Sequence, residues 1–188
     1  MRKTGKIAFV NPSRRLRTAR MRGRPISIGD FSRLRMIQGD PRAAASLTPD
    51  GKPMDENGTR QALERWARHW SREGFGVWMF SRDDGEFVGY AGVMRTAVEG
   101  RPEIELLYAV RPAMWGTGAA TEMSEAVLRY AFEEAGIVEL VAFTLPANTG
   151  SRRVMEKCGF RFERDITHAG LPHVLYRITA EEFAAAHA

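Results

Sequence analysis

The sequence predicts a mixed α/β domain, and three observations carry that prediction. Residues 76–82, 87–96 and 102–110 are short apolar runs of strand length. Residues 59–72 and about 117–135 repeat their apolar positions at helical spacing instead. Turn chemistry separates the segments, as in Asp83-Asp84-Gly85, a hairpin signal between the first two strands.

Taken in order, residues 21–28 alternate well enough for a strand, and Gly29-Asp30 opens a helix through Phe31, Leu34 and Ile37. Residues 38–58 hold three prolines and three glycines and read as a long loop. The helix over 59–72 puts Ala62, Leu63, Trp66, Ala67 and Trp70 on one side. After the three strands comes a glycine-rich turn, then a helix with Met123, Val127 and Tyr130 at core spacing. A buried strand from about Val138 to Leu145, another helix and a final hairpin across Ala169-Gly170-Leu171-Pro172 complete the order.

Composition fits one domain over residues 25–188, preceded by a basic arm at 1–24 that runs into the first strand. A chain of 188 residues with 44% apolar content buries a full core. The arm holds nine Lys or Arg (positions 2, 3, 6, 14, 15, 17, 20, 22 and 24) and no acid, leaving 19 basic against 23 acidic residues elsewhere. Such an arm could meet nucleic acid through phosphates, but only Phe9 offers a ring for base stacking, so a solvated tail with an edge strand is the preferred reading. No apolar run nears the roughly 20 residues needed to cross a bilayer, and no signal peptide is recognisable. With one cysteine, Cys158, no internal disulfide can form. A cytoplasmic protein is expected, with a homodimer left open.

The most informative stretch is Tyr108-Ala-Val-Arg-Pro-Ala-Met-Trp-Gly-Thr-Gly-Ala-Ala-Thr-Glu122, a strand running through Pro112 into a glycine turn at a helix start. Gly116 and Gly118 allow a tight turn that brings several backbone N–H groups to one anion, and the helix N-terminus adds its own donors. A pyrophosphate is the expected ligand. Thr121 stands where a dinucleotide fingerprint needs its third glycine, and no Walker loop occurs.

What remains resembles the coenzyme A loop of the GNAT acetyltransferase superfamily: glutamine or arginine, two residues, glycine, one residue, then glycine or alanine. Gly116 and Gly118 fit, while Ala113 takes the first position and removes one side-chain contact. About 30 residues on, Asn148-Thr-Gly-Ser151-Arg-Arg-Val-Met-Glu-Lys-Cys-Gly159-Phe160 is similar to the superfamily's Asn-x-x-Ser/Ala helix ending in Gly-Phe, with Gly159 placed for positive φ. Residues 16–26 and 69–78 extend the similarity over most of the chain, nearest to the ribosomal-protein alanine N-acetyltransferase (Rim-type) branch. The resemblance implies a mixed, mostly antiparallel sheet, splayed at the acetyl-CoA site and flanked by helices.

It also implies acetyl transfer to a primary amine, a protein N-terminus or a small molecule, by direct attack in a ternary complex. Tyr108, Ala109 and Val110 would pair with the pantetheine amides. The turn Gly116-Thr117-Gly118-Ala119-Ala120-Thr121 would hold the pyrophosphate, with Trp115 beneath or outside it. Arg111, Arg152 and Arg153 would meet phosphates. Asn148 would bond the pantetheine arm or the acceptor, and Ser151 would protonate the departing thiolate. The position seven residues after Asn148, a tyrosine in many members, is Met155 here.

Acetyl transfer needs a base, and period-2 alternation puts Glu103 and Glu105 on one face of their strand. Two neighbouring carboxylates would raise each other's pKa toward neutrality. Glu105 aligns with the glutamate of the superfamily's Glu-Ile-Gly-Tyr strand and is preferred to Glu103. The competing reading is a solvated acidic pair or partners for local arginines. For Asn148 and Ser151 the alternative is helix capping. His168 and His173 flank the last hairpin near the acceptor side and, with Cys158, make no recognisable metal set, so no metal is expected. Trp66, Trp70 and Trp78 serve the core or line the acceptor cleft. The alternatives to an enzyme are a non-catalytic acyl-CoA sensor, or nucleic-acid binding through the arm.

Overall fold

The computed structural model describes residues 14–48 and 50–186, so most of the basic arm lies outside the described residues. Strands β1 (Leu16–Arg17), β2 (Met21–Pro25), β3 (Val77–Arg82), β4 (Phe87–Val98), β5 (Arg101–Val110), β6 (Glu139–Thr144), β7 (Arg161–His168) and β8 (Leu171–Thr179) form one sheet. Its order is β1-β2-β3-β4-β5-β6-β8-β7. All neighbours run antiparallel except β5 and β6. The helices α1 (Phe31–Gln38), α2 (Pro41–Leu47), α3 (Glu56–Glu73), α4 (Ala119–Arg129), α5 (Thr149–Lys157) and α6 (Ala180–Ala186) flank it, as the mixed α/β expectation requires. Among the described residues no helix is long and apolar enough to cross a membrane.

Local chemistry accounts for these bounds. Asp55 caps α3 by accepting the Gly58 N–H at 2.7 Å, which starts the helix earlier than its apolar spacing suggests. Ala169 and Gly170 both take positive φ and close the β7–β8 hairpin. At the end of α5, Gly159 has φ +90°, with Gly159 N–H donating to Glu156 and Phe160 N–H to Met155; this is a Schellman motif, and it supplies the positive φ expected there.

Three elements depart from the sequence expectation. The loop over 38–58 contains α2, because Asp40 caps it by accepting the Arg42 N–H at 2.8 Å and Pro41 sits at its first position. The helix expected over 117–135 starts at Ala119, and its last turn widens into a π-turn at Tyr130–Glu134. The chain also continues past the hairpin into α6, capped where Glu182 accepts the Thr179 N–H at 3.0 Å and Thr179 Oγ1 accepts the Glu182 N–H at 3.2 Å.

Aromatic contacts tie the helices to the sheet. Trp78 of β3 meets Trp70 of α3 edge-on at 4.6 Å and Tyr130 at 4.8 Å. Both indoles are satisfied, Trp70 donating to the Val77 carbonyl and Trp78 to that of Arg14, so both belong to the core. Where the arm is described it carries β1 and most of β2, joined by a short bend. Arg20, Arg22 and Arg24 pair with Glu122, Asp83 and Asp30 rather than forming a free cationic tail.

Candidate active site

The site begins as a defect in the sheet. β4 and β5 stay in register from Gly89↔Val110 to Val98↔Arg101, whereas β5 meets β6 only at Glu105↔Val141 before the two diverge. The Arg111 N–H donates to the Val88 carbonyl. By alternation, residues 109, 107 and 105 address β4, while the backbone groups of Tyr108 and Val110 face the gap that β6 has left. Unpaired strand groups of this kind can receive an extended amide-bearing ligand as a surrogate strand.

Two hollows open along that gap. One, of about 500 Å³, runs beside Tyr108, Ala109 and Val110, past Trp115, Gly116, Gly118, Ala119, Ala120 and Thr121, to the α5 face. The other, of about 540 Å³, contains Glu105, Trp66, Tyr90, Met94, Phe143 and His173 on its walls. Tyr108, Asn148 and Ser151 line both, so the hollows meet there.

The first hollow suits an anion at its glycine end. Gly116 and Gly118 have φ +75° and +79°, the left-handed region that favours glycine. Among the described residues, no intramolecular partner is recorded for the amides of Gly116, Gly118, Ala119, Ala120 and Thr121. Arg20 braces the turn by donating to Glu122 at 2.6 Å and to the Thr117 carbonyl at 3.0 Å. Trp115, half exposed, forms the outer wall.

Several expected ligands point elsewhere. Arg111 donates to the Phe87 carbonyl at 3.0 Å and pairs with Glu86, and Arg152 donates to the Tyr176 hydroxyl at 3.1 Å; neither lines the hollow. Thr117 turns its hydroxyl back onto the Met114 carbonyl at 2.8 Å. The cations that line the groove are Arg153 and Lys157. Lys157 escaped the sequence reading, although Gly150, Arg153, Val154 and Lys157 are spaced as one helical face.

At the junction, Asn148 is the N-cap of α5. Its Oδ1 accepts the Ser151 N–H at 3.1 Å and its Nδ2 donates to Thr144 Oγ1 at 3.0 Å. Its carboxamide therefore fixes the start of α5, the capping alternative. Tyr108 Oη lies 2.8 Å from Ser151 Oγ and 2.9 Å from the Ser151 carbonyl. The phenol has one hydrogen, so when it serves the carbonyl, Ser151 Oγ donates to the phenol oxygen. Burial raises the Tyr108 pKa above the ordinary phenol range despite the Ser151 contact, so the pair stays protonated. The sequence reading valued Tyr108 for its backbone and missed this hydroxyl pair.

The two glutamates separate sharply. Glu103 is clamped by Arg177, which donates to its two oxygens at 2.9 and 3.1 Å and also binds Glu139 and Glu163. It is a structural ion pair outside the hollow, contrary to its place among the catalytic candidates. Glu105 is half-buried on the wall of the second hollow, and among the described residues no hydrogen bond or ion pair reaches it. Burial pushes its carboxyl up to about 8. Desolvation replaces the expected carboxylate–carboxylate repulsion as the cause.

His168 and His173 line the same hollow, their rings 5.6 Å apart, and burial followed by the His173 charge lowers the His168 pKa. Trp66 also reaches this hollow, packed on Tyr90 at 5.0 Å, while Cys158 is buried away from solvent.

Comparison with known proteins decides the family. The acetyltransferase (GNAT) domain matches residues 20–161. The chain belongs to the GNAT acetyltransferase family. A curated relative of this GNAT protein is the FsC-acetyl coenzyme A-N(2)-transacetylase of Aspergillus fumigatus, 32% identical over 149 residues. That match takes in 71% of this chain and 63% of the relative, so the chain spans under two thirds of the fungal protein's length. Among solved structures, an acetyltransferase from Agrobacterium tumefaciens has a TM-score of 0.75 at 26% identity, covering 93% of this chain and 98% of that one. RimL, a ribosomal-protein alpha-N-acetyltransferase bound to coenzyme A, has a TM-score of 0.71 at 15% identity over 88% of this chain and 97% of its own. The RimL likeness is one of fold.

Proposed function

We propose that this protein transfers the acetyl group of acetyl-CoA to a primary amine by direct attack in a ternary complex. The observation that carries this reading is the junction itself. A groove with free amides meets a second hollow where a carboxyl without a counter-ion and a protonated hydroxyl pair face the same space. The N(2) in the fungal relative's name supports nitrogen as the acceptor atom.

In this reading the thioester lies along β5, its pantetheine amides on the backbone of Tyr108 and Val110 and its pyrophosphate on the amides from Gly116 to Thr121. Arg153 and Lys157 balance the phosphate charge. The acceptor enters from the second hollow. Its nitrogen attacks the thioester carbon and its surplus proton passes to Glu105, directly or through one water. As the tetrahedral adduct collapses, the C–S bond breaks and the sulfur takes a proton from the Ser151–Tyr108 pair, which fills the place left by Met155. The backbone N–H groups facing the gap stabilise the oxyanion.

The motif order that resembles the Rim-type branch favours a protein N-terminus, with a small-molecule amine as the other acceptor; both keep a primary amine at Glu105. The test is release of free CoA thiol from acetyl-CoA across a panel of peptide N-termini and small amines, with calorimetric titration of acetyl-CoA alongside. Amine-dependent release that falls in Glu105→Gln with acetyl-CoA affinity retained is expected. Tight acetyl-CoA binding with no transfer to any amine would replace this reading with a non-catalytic acyl-CoA sensor.

A further inference from the structure

The charge lining the second hollow restricts which amines fit it. Its titratable walls are Glu105, Arg65, Arg95, His168 and His173, with the phenols of Tyr90 and Tyr108 beside them. Arg95 is already paired with Glu73 at 2.6 Å. Arg65 is exposed on α3 and has no hydrogen bond or ion pair among the described residues. Among the described residues Glu105 is the only acid in the lining, and the reacting nitrogen takes it. A second ammonium group would therefore enter a hollow that offers it no carboxylate and already holds an unpaired guanidinium.

Between these charges the walls mix hydroxyl-bearing side chains, such as Thr48, Thr96 and Thr144, with aromatic and thioether surface from Trp66, Tyr90, Met94 and Phe143. Trp66, the residue after Arg65, is buried and packs on Tyr90, and Met94 stands directly across from Glu105 in the β4–β5 register. The lining thus combines an exposed cation, aromatic and thioether surface, and one half-buried carboxyl.

We infer that the acceptor is a monoamine with an apolar or aromatic body and an anionic group at its far end, which Arg65 binds at the mouth of the hollow. This rests on the acetyl-transfer reading and narrows it, excluding polyamines and other polycations. A carboxylate is the simplest anion that a guanidinium reads through paired N–H donors.

A matched series tests the inference: phenethylamine, its para-carboxylate and its para-aminomethyl derivative. With acetyl-CoA, kcat/KM is expected to favour the carboxylate over phenethylamine by about fivefold or more, with the diamine last. Arg65→Gln should erase the gap between carboxylate and phenethylamine, and Arg65→Glu should invert the charge order. Among the described residues Arg65 has no hydrogen-bond or ion-pair partner to lose, so unchanged melting curves are expected to certify both variants. Equal or better use of the diamine, or a charge order that survives Arg65→Gln, would overturn the inference. Calorimetric titration of the three amines into CoA-saturated protein separates it from the reading beneath. The same order in binding without turnover would discard acetyl transfer and keep the assignment of the hollow, whereas no binding of any of the three would discard the assignment.

Discussion

In the proposed reaction Glu105 concentrates the chemistry in one side chain, whose protonation would then set the working pH. Its carboxyl sits near 8 in the folded protein, against an ordinary value of about 4.3. The basic form therefore accumulates as pH rises, and kcat/KM should climb through about pH 8 rather than level off near 5. In Glu105→Gln the rate should fall by about 10²- to 10⁴-fold and lose that inflection. Stability moves the other way. The folded state holds this proton more tightly than the unfolded chain, so the Glu105 contribution is intact below the unfolded pKa and is lost as pH rises through the folded one. Melting curves should accordingly show Glu105→Gln stabilised at about pH 9 and unchanged at about pH 4. A flat difference between the two would contradict burial as the cause. The Tyr108–Ser151 pair invites a double-mutant cycle. If the hydroxyls act as one proton donor, Tyr108→Phe and Ser151→Ala should each lower kcat, and together cost little more than either alone.

At the level of elements, the groove depends on a loop and a helix face rather than on single contacts. Gly118 at φ +79° is the N-cap of α4, and any other L-residue there costs about 1–2 kcal/mol or moves the amides. Gly118→Val should raise the KM for acetyl-CoA and change kcat little, the signature of lost uniform binding. The α5 face makes a sharper comparison: Arg153→Ala and Lys157→Ala should each weaken acetyl-CoA binding at low salt, with the loss shrinking as salt screens the phosphates. Arg111→Ala and Arg152→Ala should leave the affinity near that of the parent protein. The loop, the Asn-capped helix and the Gly159 stop were legible in the sequence because each is local chemistry within a few residues. The aim of an arginine was not, since Arg111 is settled by Glu86 and the Phe87 carbonyl, and Arg152 by Tyr176, partners about 24 residues away. Glu103 failed for the same reason, its partner Arg177 lying 74 residues on.

Across the whole molecule, sequence spacing and turn signals were enough for the strands and two hairpins, whereas the mostly antiparallel order and the splaying of the sheet were borrowed from the family likeness, because pairing between distant strands leaves no short-range mark. That divergence has a thermodynamic consequence. β5 is paired along its whole length on the β4 side and at one register on the other, so part of its far edge lacks a strand partner and is open to a ligand in place of water. Acetyl-CoA should bridge β5, the glycine loop and α5, elements that otherwise rest on separate supports. A ligand at about 100 times its Kd stabilises the folded state by about 2.7 kcal/mol, which for a chain of this size is a rise in Tm of roughly 5–11 °C. At one common concentration, ADP and pantetheine should each give only a small part of that rise, the first engaging the loop alone and the second the strand alone. Were ADP to match acetyl-CoA, the loop would account for the whole affinity and the gap beside β5 would carry no binding energy.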